Sequence, residues 1–222
     1  MNLLFLTHRL PCPPDRGCKL RSAAILHGLT QRHDVWCAGF LDAGRDAQSQ
    51  SEAERSLMSL RHICRGVLAL PFNSLRAGYG ALGGLIAGGT ATEGYFASRA
   101  LANGVRQWSQ QITFDAVFAF SSGMAPLALT VPAARRVLCM DDLDSRKWQE
   151  LTQRARWPMR LIYDTEARRL ARRELEWIDQ FDATLTISQR EADLVADSRL
   201  RAKVHVFPPI LPSAPSTITT SS

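Results

Sequence analysis

The sequence predicts an α/β domain built on a doubly wound parallel sheet. Three observations carry this reading. Short apolar runs recur along the chain: NLLFLT, DVWCAGF, GVLAL, DAVFAF and RVLCM. These runs are apolar on both faces rather than alternating, as strands covered on both sides must be. Helix-length segments separate them, and parallel neighbours need such crossovers. In sheets of this kind ligands gather beyond the carboxyl ends of the strands, so the loops after each strand are the informative positions.

The elements follow in order. Asn2–Thr7 reads as the first strand, Lys19–Gln31 as a helix and Asp34–Phe40 as the second strand. Ser51–Leu60 reads as helical, and Gly66–Leu70 as a third strand stopped by Pro71. The stretch AGYGALGGLIAGG, 77–89, is too short to span a membrane and too rich in glycine for a firm helix. It reads as a partly buried connection, or as a loop or helix that touches lipid. Tyr95–Gln111 reads as one helix, with Phe96, Leu101, Val105 and Trp108 on its apolar side. Asp115–Phe120 and Arg136–Met140 are further strands.

Pro158–Gln180 is a long helix begun by proline. Its apolar stripe reads Tyr163, Ala167, Leu170, Leu175 and Ile178, with i,i+4 pairs Asp164–Arg168 and Arg172–Glu176. Its basic band RRLARRELEW reads as a solvated face. Asp182–Ile187 is a strand and Ser188–Asp197 a helix, with Ser188 as N-cap and Glu191 completing a capping box. Lys203–Phe207 is the last strand. The closing stretch, 208–222, is Pro-, Ser- and Thr-rich, carries no charge and reads as a disordered tail after a domain spanning 1–207.

The chain has 222 residues, 45% of them hydrophobic, which suits one packed domain. Net charge is +6 with a pI near 9.4, favouring anionic partners. The arginines are spread out and no zinc-finger, basic-zipper or aromatic RNA-binding signature appears, which argues against nucleic acid. Cys12, Cys18, Cys37, Cys64 and Cys139 fit no metal or disulfide framework and read as reduced thiols of a cytoplasmic protein. The N-terminus shows no signal peptide. Net charge and the 77–89 stretch together raise the expectation of peripheral contact with an anionic membrane surface.

Candidate site residues stand at the strand ends. The loop Thr7–Gly17 is stiffened by Pro11, Pro13 and Pro14, and it contains His8, Arg9 and Arg16. Gly17 stands at a helix start, where backbone N–H groups attract phosphate, and Lys19 and Arg21 add charge in the first turns. Ser121 and Ser122 follow the strand DAVFAF and offer hydroxyls or a helix cap. Asp141, Asp142 and Asp144 follow RVLCM, with Ser145, Lys147 and Trp148 just behind. Three clustered carboxylates need cations, hydrogen bonds or exposure to stay charged, and one of them could accept a sugar hydroxyl or orient a nucleophile. Trp148 offers a stacking face. A helix start that simply accommodates negative charge is the bland alternative.

The segments THRLPCPPDRGCKLRS, FDAVFAFSSGMAP, MDDLDSRKW and YDTEARRLARRELEWIDQFDATLTISQREADL occur in the order of a known pattern. The chain resembles the N-terminal domain of a family 4, GT-B-fold glycosyltransferase, most closely the sugar transferases of exosortase/PEP-CTERM exopolysaccharide systems. The resemblance implies a Rossmann-like half of a two-domain enzyme. Ile187, Ser188, Gln189, Arg190 and Glu191 stand where the wider family has V-S-x-x-E. By this resemblance the Gly17 loop approaches the phosphates of a nucleotide-sugar donor. Ser121, Ser122 and Asp141 to Asp144 line a pocket for a glycan or lipid-linked acceptor. The resemblance further implies a retaining reaction with no metal or other cofactor.

Cys18 and Leu143 depart from the pattern, and so does the chain after Phe207. There the resemblance leads us to expect a missing donor-binding domain, with its E-x7-E pair, and a truncated form inactive alone. The alternative reading is a non-catalytic module that binds a sugar phosphate and works with a separate donor-domain partner. The expected location is the cytoplasm, at the periphery of the inner membrane.

Overall fold

A computed structural model describes residues 1–11, 13–14, 17–41 and 47–208. Cys12, Asp15 and Arg16 of the first loop, and the tail beyond Pro208, lie outside the described residues. Seven strands form one sheet: β1 (Asn2–Thr7), β2 (Asp34–Leu41), β3 (Gly66–Pro71), β4 (Phe114–Phe120), β5 (Ala133–Asp141), β6 (Ala183–Thr186) and β7 (Val204–Val206). Every pairing is parallel and the order is β3-β2-β1-β4-β5-β6-β7. The chain therefore has the predicted Rossmann-like, doubly wound architecture, with its direction reversing between β1 and β4.

The helices are α1 (Gly17–Thr30), α2 (Ala47–Ile63), α3 (Ser74–Ile86), α4 (Ala91–Phe96), α5 (Arg99–Gln111), α6 (Ala125–Leu129), α7 (Asp144–Arg154), α8 (Met159–Gln180), α9 (Gln189–Asp193) and α10 (Ser198–Arg201). A 3₁₀ turn, Ser122–Met124, leads into α6. Alternate residues of β1 enter two separate cores. Leu4 and Leu6 pack with Leu101 of α5, Ala125 of α6 and Leu170, Trp177 and Ile178 of α8. Leu3 and Phe5 pack with Ile25 and Leu26 of α1 and Leu60 of α2. Apolar burial on both faces is what made the strands legible.

Several predicted elements are corrected. The glycine-rich stretch is a helix, α3, because its glycines allow close packing on α4. A Cβ built on Gly80 would overlap the Gly94 carbonyl oxygen, and one on Gly94 would overlap that of Gly80. The helix expected over Tyr95–Gln111 is two. Thr90 and Glu93 form a capping box for α4, and Ser98 caps α5. The helix expected over Ser188–Asp197 stops at Asp193, and an unpredicted α10 follows, capped by Asp197 with both carboxylate bonds on one oxygen.

On α8 the stripe runs through Glu166, Ala167, Leu170, Glu174, Trp177 and Ile178, while Leu175 is exposed. The basic band is only partly solvated. Arg169 donates to the carbonyls of Leu85 and Gly89 at the end of α3, and Arg173 pairs with Glu93 and Glu176. Of the expected i,i+4 pairs, Asp164–Arg168 forms, while Glu176 engages Arg173 instead.

Candidate functional site

The strand ends at the β1/β4 divide converge on a cavity of about 390 Å³. Its lining includes His8 after β1, Ser121 after β4, Asp144 and Trp148 of α7, and Tyr95 and Phe96 of α4. The volume lies in the range of small-ligand sites, roughly 300–1,000 Å³. The backbone at two of these strand ends is left-handed without glycine, with φ of 90° at Ser121 and 58° at Asp141. Such strain costs of order 1–3 kcal/mol per residue and persists only where surrounding contacts impose it.

Those contacts are visible. Ser121 donates its N–H to the Cys139 carbonyl at 2.8 Å, which turns the chain sharply off β4. The turn buries Ser122, whose hydroxyl donates to Asp144 Oδ2 at 2.5 Å. Lys147 Nζ donates to Asp144 Oδ1 at 3.0 Å and lies 3.6 Å from Asp142 Oδ2. Burial lowers the Lys147 pKa, but the Asp144 and Asp142 carboxylates outweigh it and leave it raised. Asp144 is thus a carboxylate at a helix start, held by one hydroxyl and one ammonium and open to the cavity.

Asp141 turns away from the cavity. Its Oδ1 lies 2.7 Å from Nε of Arg21, a residue only 6% exposed. Arg21 also donates to the Phe207 carbonyl at 2.5 Å and covers the Phe207 ring. Burial raises the Asp141 pKa against the pull of Arg21. Lys19 is likewise buried, and Gly17 begins α1 with open space around its Cα. Arg9 is partly buried, and its backbone carbonyl and N–H both bond the Thr7 hydroxyl. Arg21 therefore braces α1 against the end of β5 and the residue after β7, while the cavity takes its polar groups from elsewhere.

His8 is wedged between rings, stacked on Phe120 at 6.1 Å and edge-on to Phe96 at 5.5 Å. Burial lowers its pKa to about 4, against the Phe120 carbonyl, so the imidazole is neutral at pH 7. Its Nδ1 is buried without a hydrogen-bond partner. Trp148 lies against Tyr163 of α8 at 5.4 Å and turns an aromatic surface to the cavity.

Ser145 and Glu191 serve neighbouring elements. Ser145 donates its N–H and hydroxyl to Glu174 at 3.1 and 2.5 Å. Burial pushes the Glu174 pKa up to about 7, against those hydrogen bonds. Ser188 does cap α9, accepting from the Glu191 N–H at 3.3 Å. The carboxylate of Glu191 does not close the capping box; it accepts from the Leu143 N–H at 2.9 Å and fixes the loop after β5. Among the described residues no three His, Cys, Asp or Glu side chains cluster as a metal site needs.

Of the predicted site residues, the structure gathers His8, Ser121, Asp144 and Trp148 around one cavity, with Ser122 and Lys147 holding Asp144. It places Lys19, Arg21, Asp141, Ser145, Ser188 and Glu191 in supporting bonds or burial. The α3–α4 wall, with Ala81, Thr92, Tyr95 and Phe96, was not predicted. The T-x-x-E spacing of Thr90 and Glu93 is the signal that marks it, since a capping box announces a new helix. Compared with protein-family models and with curated proteins, the chain matches none.

Proposed function

We propose that this chain is the acceptor-side domain of a retaining, nucleotide-sugar-dependent glycosyltransferase of exopolysaccharide assembly. The observation that carries the reading is the convergence of His8, Ser121, Asp144 and Trp148 on one cavity at the reversal point of a parallel sheet. A sugar ring presents apolar C–H faces and a rim of hydroxyls. Trp148 and Phe96 offer surfaces for the first, and neutral His8, Ser121 and charged Asp144 offer hydrogen bonds for the second. In the reaction, the bond from the anomeric carbon to the nucleoside diphosphate breaks. The acceptor hydroxyl oxygen takes that place, and its proton is released. On this side of the cleft, Asp144 accepts a hydrogen bond from the acceptor hydroxyl and so orients it.

The donor and its diphosphate need a second wall, from a longer chain or a separate partner. Much of the charge stabilisation of such a reaction would reside there, so the 222-residue chain alone is expected to show little or no transfer. One observation favours non-catalytic saccharide binding as the second reading: Asp141, Asp142 and Asp144 are all already engaged by Arg21, Lys147 or Ser122.

Saturation-transfer NMR of the chain against a panel of mono- and disaccharides and their phosphates tests the proposal. At least one should bind, and Trp148→Ala should weaken it by roughly tenfold or more, the loss expected for a stacked aromatic anchor. Absence of any saccharide signal, or binding indifferent to Trp148→Ala and Asp144→Asn, would sink it.

A further inference from the structure

α3 carries an apolar stripe that the fold leaves uncovered. Leu75, Tyr79, Leu82 and Ile86 are 76%, 77%, 56% and 78% exposed. At about 100° per residue they fall within roughly 60° of one another on the helix. The opposite side, through Gly80 and Gly84, is packed on α4 so closely that side chains there would strike backbone carbonyls of Gly94 and Thr90. The helix is therefore fixed with its apolar stripe outward and cannot roll to bury it.

A second uncovered apolar group lies at the corner between α7 and α8. Trp157 is 84% exposed, Leu161 59% and Met159 42%. The two groups stand on elements that also contribute to the candidate cavity. Ala81 of α3 and Trp148 of α7 line the candidate cavity from either side, and Trp148 rests on Tyr163 beside that corner.

Within both segments the exposed charges are basic, with Glu150 and the Arg168-paired Asp164 bordering the second. Arg76, Arg154, Arg156 and Arg160 are exposed, and no acidic residue occurs in 73–92 or 151–163. A protein partner is matched by mixed charges, and a second copy would bring the same positive rim and repel. An anionic bilayer complements both features, since apolar side chains enter the acyl boundary while arginines meet headgroup phosphates. No helix of the described residues is long and apolar enough to cross a membrane.

We propose that α3 and the α7–α8 corner form a docking surface for an anionic lipid bilayer. The surface is independent of sugar transfer and stands or falls by itself.

The test is sedimentation of the intact chain with vesicles of phosphatidylcholine alone, or of equal parts phosphatidylcholine and phosphatidylglycerol. Binding should require the anionic lipid and weaken as salt rises. Leu82→Ser/Ile86→Ser should cut the partition about tenfold or more, and Arg154→Gln/Arg156→Gln by about fivefold per arginine at low salt. All four positions are exposed, so urea midpoints should match the parent. The inference is overturned by absence of binding, by equal binding to neutral vesicles, or by unaltered binding of both variants. It is also overturned if sedimentation shows a dimer that the serine variant dissolves, since the stripe would then belong to a second copy.

Discussion

Glu174 is 2% exposed, yet among the described residues no cation pairs with it, and its carboxylate accepts from the Ser145 N–H and hydroxyl. Two neutral donors offset only part of the desolvation, so the pKa rises from 4.5 to about 7. A carboxyl whose folded pKa exceeds its unfolded one binds protons more tightly when folded. Its contribution to stability is full below pH ~4.5 and is lost as pH rises to ~7, a swing of roughly 3 kcal/mol. His8 has the opposite sign: its lowered pKa makes stability fall as pH drops from 6.5 toward about 4. Glu174→Gln removes the first term and leaves the second. Relative to the parent, the variant should gain stability between pH 5 and pH 8, read as a shift in urea midpoint. An unchanged difference at the two pH values would refute the assignment. In the sequence, Asp144 and Trp148 were recognisable because they follow a strand directly. Glu174 was not, because a buried glutamate on a helix rich in arginine looks like surface; its place in register with Leu170 and Trp177 was the available clue.

Glycine plays opposite roles at neighbouring positions of one hairpin. Gly94 of α4 faces the backbone of α3, whereas Gly78 of α3 has open space where a Cβ would stand. Alanine is the better helix former by about 1 kcal/mol at either position. At Gly78 nothing opposes that preference, so Gly78→Ala should stabilise by roughly 0.5–1 kcal/mol. At Gly94 the methyl group would force the helices apart, so Gly94→Ala should destabilise by about 1–3 kcal/mol despite its better propensity. Thermal unfolding of both variants decides the matter, and a neutral Gly94→Ala would mean that the helices do not touch as described. The same contrast explains what could be read at the scale of elements. β1 was recoverable to the residue, because burial on both faces leaves an apolar signature. α3 was misjudged, because propensity counts glycine against a helix and cannot register a facing backbone that requires it. The break before α5 lies at Ser98, whose side chain caps that helix. Local cap chemistry outweighed an apolar periodicity that ran straight through.

Across the whole molecule, α8 acts as a strut for both walls of the cavity. Glu166 accepts from the N–H groups of Ala91 and Thr92 at 2.5 and 2.9 Å, fastening the start of α4, and Glu174 does the same for α7. The two carboxylates are about two turns apart, roughly 12 Å along the helix axis, and share no partner. Each caps a separate helix with buried hydrogen bonds, so replacing either by glutamine removes acceptor capacity at one wall. At pH 5, where Glu174 is largely protonated, Glu166→Gln should cost about 1–3 kcal/mol and Glu174→Gln less. If α8 is rigid, the walls respond separately, and the double variant should equal the sum of the singles within about 0.5 kcal/mol. If the walls form one cooperative unit that loosens together, the first substitution relaxes what the second would disrupt, and the double variant should be more stable than the sum predicts. Urea unfolding of the four proteins separates these cases. A coupling above about 1 kcal/mol would overturn the rigid strut and make the two walls a single moving body. Additivity would leave each wall adjustable alone, so that α4 could change the aromatic side of the cavity without disturbing Asp144 on α7.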